Sequence, residues 1–93
     1  MNNSQRYDYD RCISDGSSWE SIASTREGRG DYLGARDAYF SAVDCYKEAA
    51  SIAWGAGDTS SSYSAERLAD SARRSASAMV EEYNKAVDRN MSW

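Results

Sequence analysis

Side chains that could do chemistry are present, but few stand at spacings that would let them. The chain has no histidine, so the commonest general base and metal ligand is missing. Asp8 and Asp10 begin like a calcium loop, without its glycine or its later acidic ligands. Asp58, Ser60 and Ser62 repeat the spacing, with Tyr63 where glycine belongs and no glutamate twelve positions along. Cys12 and Cys45 fit no metal-binding or redox spacing and read as two reduced thiols. Gly28 and Gly55 follow helical patterns rather than strands, which makes them helix stops and not phosphate cradles. No pair of carboxylates is isolated among apolar residues in the way acid–base catalysis requires. The expectation is a protein that is not an enzyme and uses no cofactor and no metal.

Two further signals are explained by local structure. Arg29-Gly30-Asp31 spells a cell-adhesion tripeptide, yet a turn between helices accounts for it. The serines from Ser60 to Ser64 could accept phosphate, but a loop supplying helix caps uses the same residues.

The elements that hold these residues follow from composition. Ninety-three residues make one domain, near the lower end of what folds alone. Ile, Leu, Val and Phe together number nine, against fourteen Ala, seven Tyr and three Trp. The core must therefore be aromatic rings set against small residues. Net charge is −4, and it is unevenly placed. Residues 1–59 hold ten acids and six bases, residues 60–93 five of each. An acidic first half argues against direct binding to nucleic acid, which needs a basic stripe. No apolar run is long enough to span a membrane. The N-terminus, Met1-Asn2-Asn3-Ser4-Gln5, has no signal-peptide pattern, so the expected compartment is the cytoplasm, or a host's cytoplasm for a phage-encoded or effector protein.

Proline is absent, and glycine supplies the punctuation at Gly16, Gly28 to Gly30, and Gly55 to Gly57. A first helix is predicted over about 18–28, with Ser17 and Glu20 as a capping box and Trp19, Ile22 and Ala23 as its stripe. A second helix, about 31–56, starts at Asp31. Its Tyr32, Tyr39 and Tyr46 stand seven apart, as do Ala35, Ala42, Ala49 and Ala56. The flanking columns, Leu33, Phe40 and Trp54 on one side and Ala38, Cys45 and Ile52 on the other, are apolar too. A helix so apolar is covered on two or more sides. A third helix, about 60–89, carries Ala65, Leu68, Ala69, Ala72, Ala76, Met79 and Tyr83 on one face. The predicted fold is all-α: an antiparallel three-helix bundle over 17–93, with a polar segment, 1–16, available to pack on it. At 1.5 Å per residue the second and third helices reach roughly 40 Å and the first under ~20 Å. The second half of the central helix and the first half of the last should then border an open groove, unless Tyr7, Tyr9 and Ile13 fold back into it.

Trp19-x-x-Ile22-Ala23 followed by Gly30-Asp31-Tyr32-x-x-Ala35-x-x-x-Tyr39-x-x-Ala42 resembles a tetratricopeptide repeat in identity and spacing. The likeness spans about 25 residues. Arg26 departs from the pattern, no proline closes the repeat, and the second helix continues past its usual end. In that respect the chain is more similar to the three-helix microtubule-interacting-and-transport domain. Either resemblance implies a peptide- or helix-binding module without catalysis.

The functional expectation is a module that binds another protein through an apolar, aromatic helix groove, with Leu33, Phe40, Ile52, Trp54 and Trp93 as contact residues. A different reading uses the acids Asp37, Asp44 and Glu48 as one face of a small inhibitor that blocks a nucleic-acid-binding protein, as phage-encoded anti-defence factors do. A third is a structural homo-oligomer, with a homodimer as its simplest form. None of the three implies a membrane.

Overall fold

Two turns of one design divide the chain. In the computed structural model, which describes residues 1–91, α1 spans Asn3–Gly28, α2 Tyr32–Gly55 and α3 Thr59–Met91. Arg29-Gly30-Asp31 and Ala56-Gly57-Asp58 join them. Gly30 and Gly57 take positive φ, 77° and 76°, which costs glycine no Cβ clash. Asp31 then donates its N–H to the Arg26 carbonyl at 2.9 Å, and Asp58 to Ala53 at 2.9 Å. Each closes a Schellman cap. Each aspartate also caps the helix that follows. Asp31 accepts from the Gly34 N–H at 3.0 Å and Asp58 from Ser61 at 3.1 Å. The adhesion-like tripeptide is therefore one of two equivalent helix-reversal turns.

The three antiparallel helices are those expected, but α1 is much longer than 18–28. It starts after Asn2, whose side chain accepts from the Gln5 N–H at 2.8 Å while Gln5 Oε1 accepts from the Asn2 N–H at 2.9 Å. This capping box begins the helix fifteen residues before Ser17. The glycine that suggested a break, Gly16, lies mid-helix and buried. With Gly16 taken as a small seam residue, Tyr9, Cys12, Gly16, Trp19 and Ala23 form one continuous three-four repeat. Residues 3–16 are thus the first half of α1. Glu20, read as the partner of Ser17 in a cap, instead accepts from the Tyr46 hydroxyl.

α2 lies in the middle, packed along its length by both neighbours, while α1 and α3 touch each other little. The Cα trace measures 60 × 18 × 12 Å, a long, thin arrangement. Its core is made mostly of alanine: Ala23, Ala35, Ala42, Ala49, Ala53, Ala65 and Ala76 have no exposed surface. Small residues at both sides of a seam let helix backbones approach closely. Tyr46, 2% exposed, is the large exception. Its ring lies over Gly16, where an added Cβ would meet Cε1 at 2.5 Å. The space the ring needs exists because position 16 has no side chain.

Two measurements test this contact. Gly16→Ala would gain helix propensity in a typical helix interior, by up to about 1 kcal/mol. Here the clash with Tyr46 outweighs that, and urea denaturation should show a net loss of about 1–3 kcal/mol. Equal or greater stability would mean the ring is free to move. The second concerns pH. Burial first, then the Glu20 carboxylate, push the Tyr46 phenol well above its usual value of 10. A raised native pKa gives stability that is complete below pH ~10 and lost as pH rises further. Tyr46→Phe should cost about 1–2 kcal/mol at pH 7 and flatten the alkaline decline. Parallel profiles for the two proteins between pH 7 and 11 would contradict the assignment.

Candidate functional site

The second half of α2 is covered on one side from within. Cys12, Tyr9 and Ile13 of α1 pack on Ala49, Ala50 and Ala65, and the Tyr9 hydroxyl donates to the Ser61 carbonyl at 3.1 Å. Tyr7, 67% exposed, takes no part. The internal capping anticipated for Tyr9 and Ile13 therefore exists, delivered by a helix. Ile52 belongs to this covered side, against the Cys12 cluster, and is separated from the other proposed contact residues.

The opposite side of the α2–α3 pair stays open. A groove of about 710 Å³ runs between Lys47, Ala50, Ser51, Trp54 and Gly55 of α2 and Ser62 and Glu66 of α3. Its floor is small and buried: Ala50 is 5% and Ser62 7% exposed, with the Ser62 hydroxyl donating to the Ala50 carbonyl at 3.1 Å. Trp54 forms one wall and is 68% exposed. The crease continues past Lys47 and Glu66 to Ala69, Asp70 and Arg73.

Leu33, Phe40, Lys47 and Trp54 are seven apart. A straight α-helix drifts ~20° per heptad, so the column turns by about 60° from Leu33 to Trp54. That rotation brings Trp54 toward α3, where it lines the groove, while Phe40, 45% exposed, stays on the outer face and Leu33, at the start of α2, is half-buried. Phe40 and Trp54 are therefore on one open face, with Lys47 between them. Trp93 lies outside the described residues. Tyr63 was not anticipated: it is 65% exposed on α3, with the Arg67 guanidinium 5.8 Å from its ring centre. It falls outside the three-four repeat among serines, so periodicity does not mark it.

Asp37, Asp44 and Glu48 are all exposed along α2, on the flank nearer α1. Asp15 of α1, also exposed, adds to their field. Among the described residues only Asp37 in this strip has an ion-pair partner, Arg36 at 2.9 Å. The effect is visible at the thiols. Burial, then Asp15, Glu48 and Asp44, push the Cys45 thiol up. Burial and Glu48 do the same to Cys12. Among the described residues no three His, Cys, Asp or Glu side chains converge as metal ligands, and no helix is long and apolar enough to cross a membrane.

No protein-family model, no curated protein and no solved structure matches this chain.

Cys45, the less buried thiol, reports on the acidic strip. The pair Asp15→Asn and Glu48→Gln should lower its pKa and speed alkylation severalfold at fixed pH. An unchanged rate would show that the acids exert no net field there.

Proposed function

We propose that this chain is a non-enzymatic protein-binding module, and that its contact face is the open side of the α2–α3 pair around Trp54 and Phe40. The observation that carries the reading is Trp54: a tryptophan 68% exposed on the wall of a groove floored by Ala50 and Ser62. Large aromatic rings over well-packed small residues are typical energetic anchors of interfaces. A groove between two antiparallel helices suits a helical segment laid along it, its apolar face on the alanine floor. Lys47, Glu66, Asp70 and Arg73 border the crease with both signs of charge, which would set orientation more than affinity. The resemblance to tetratricopeptide and microtubule-interacting-and-transport modules points the same way.

A second reading rests on a separate observation, the exposed strip of Asp37, Asp44 and Glu48 beside Asp15. Such a surface would suit an inhibitor that occupies the basic site of a nucleic-acid-binding protein. Association through the strip would weaken steeply with salt. Association through the aromatic face would not.

Affinity capture from the native host or its target cell, repeated with Phe40→Asp and Trp54→Asp, separates the readings. Both side chains are exposed, so each variant should keep its helical circular dichroism. The aromatic face predicts that a partner captured by the native protein is lost by both variants, a cost of about 2 kcal/mol or more each. Retention of that partner by both variants would overturn it. Loss only on replacing Asp44 and Glu48 would favour the inhibitor.

A further inference from the structure

Two apolar surfaces stay open, and they are not alike in charge. The bond from Ser62 to the Ala50 carbonyl sets the antiparallel register of α2 and α3. In that register Tyr32, the first residue of α2, lies level with Val80, so α3 runs on past α2 with Tyr83 39% exposed. The described residues around that end select no occupant. Those of the groove at Trp54 do.

Floor and walls of the groove favour different chemistry. Ala50, Ser62 and Ala69 form the floor, and all three are buried. The Ser62 hydroxyl already donates to the Ala50 carbonyl at 3.1 Å. A polar side chain set on this floor would lose water and gain no donor in return. A large aliphatic side chain instead fills the depth that small residues leave, as the Tyr46 ring does over Gly16.

The walls are opposite in sign. Lys47 stands on the α2 wall and Glu66 on the α3 wall, and both border the groove at Trp54 and its continuation toward Arg73. The register sets Lys47 level with Ala65, beside Glu66. Both charged side chains are exposed, and among the described residues neither has an ion-pair partner. Asp70, the next carboxylate on that wall, is held by Arg73 at 2.9 Å. The crease thus offers a cation on one side of an apolar floor and an anion on the other.

We infer that the occupant of this groove is an amphipathic helix of another protein, with large aliphatic side chains along its seam, a carboxylate on the flank over Lys47 and a cationic side chain on the flank over Glu66. This partner chemistry presupposes that the face is a binding surface, and adds a charge pattern to it. The open end of this chain's own α3 lacks the pattern: one flank carries Val80 and Val87, the other Glu82 and Arg89 together. From Ser62 to Arg73 the crease accepts about three turns of helix, about 16 Å. That contact is small beside the ~1,200 Å² of specific stable interfaces, so affinity is modest. Discrimination then comes from the flanks, where a like charge removes an attraction and adds a repulsion.

Amide chemical-shift titration of the isotope-labelled chain with three two-heptad peptides tests the pattern. All three carry Leu at both seam positions. Their flanks are Glu on one side and Lys on the other, Glu on both, or Lys on both. The native chain should bind the mixed peptide about threefold to tenfold more tightly than either of the others. Lys47→Glu makes both walls acidic and should move the preference to the Lys-flanked peptide. Glu66→Lys should move it to the Glu-flanked one. Equal binding of all three by the native chain, or a preference that both variants leave unchanged, would overturn the charge pattern and leave the face a binding surface. Failure of every peptide to shift native resonances at about 1 mM would overturn the binding surface as well.

Discussion

The ring of Tyr46 resting on Gly16 is the contact on which the arrangement depends. Alanine seams let helices approach but specify their register poorly, because one alanine resembles the next. A single large ring that fits only where the opposite helix lacks a side chain removes that degeneracy. The ring is 2% exposed, and its hydroxyl is held by Glu20. Three points, Gly16, Tyr46 and Glu20, thus fix how α1 lies along α2. Once α1 is in place, Tyr9 and Ile13 reach the far end of α2 and Tyr9 bonds to Ser61 at the start of α3.

The same small-residue core explains why aromatic residues remain outside. Helices packed through alanine leave no interior volume for a tryptophan. α2 is clasped by two helices that barely meet each other, so its third side is open. Trp54 and Phe40 stand on that side because the column they share lies off the alanine seam. The exposed rings follow from how the core is built, and the face they occupy is the surface on which a partner gains most by removing apolar area from water.

Much of this was legible in the amino-acid order, and the failures share a physical cause. The alanine and tyrosine columns of α2, the Gly-Asp turns and the α3 repeat are local patterns, and they correspond to α2, α3 and the two reversals. The first half of α1 is not legible, because glycine carries two meanings, helix break and close approach, and only Tyr46, thirty residues from Gly16, decides between them. Ser17 and Glu20 match a capping box, but the carboxylate is used by a tertiary partner. Ile52 shares its apolar character with Phe40 and Trp54 but lies on the other side of α2, against the Cys12 cluster, and composition alone does not separate the two sides. Tyr63 follows no repeat, so only its exposure identifies it.

The two open apolar surfaces differ in kind. The groove at Trp54 lies between two helices already fixed by their own core, so a ligand there would find a preformed site and would not have to order it. The projecting end of α3 has no such support. Beyond Val80 its helix is held by propensity, by pairs such as Glu82 with Lys85, and by whatever covers Tyr83 and Val87. A lone helical segment of three turns is marginal in water, which means that cover at this end would contribute order as well as burial. Since the two surfaces lie at opposite ends of a 60 Å molecule, occupation of one leaves the other sterically free.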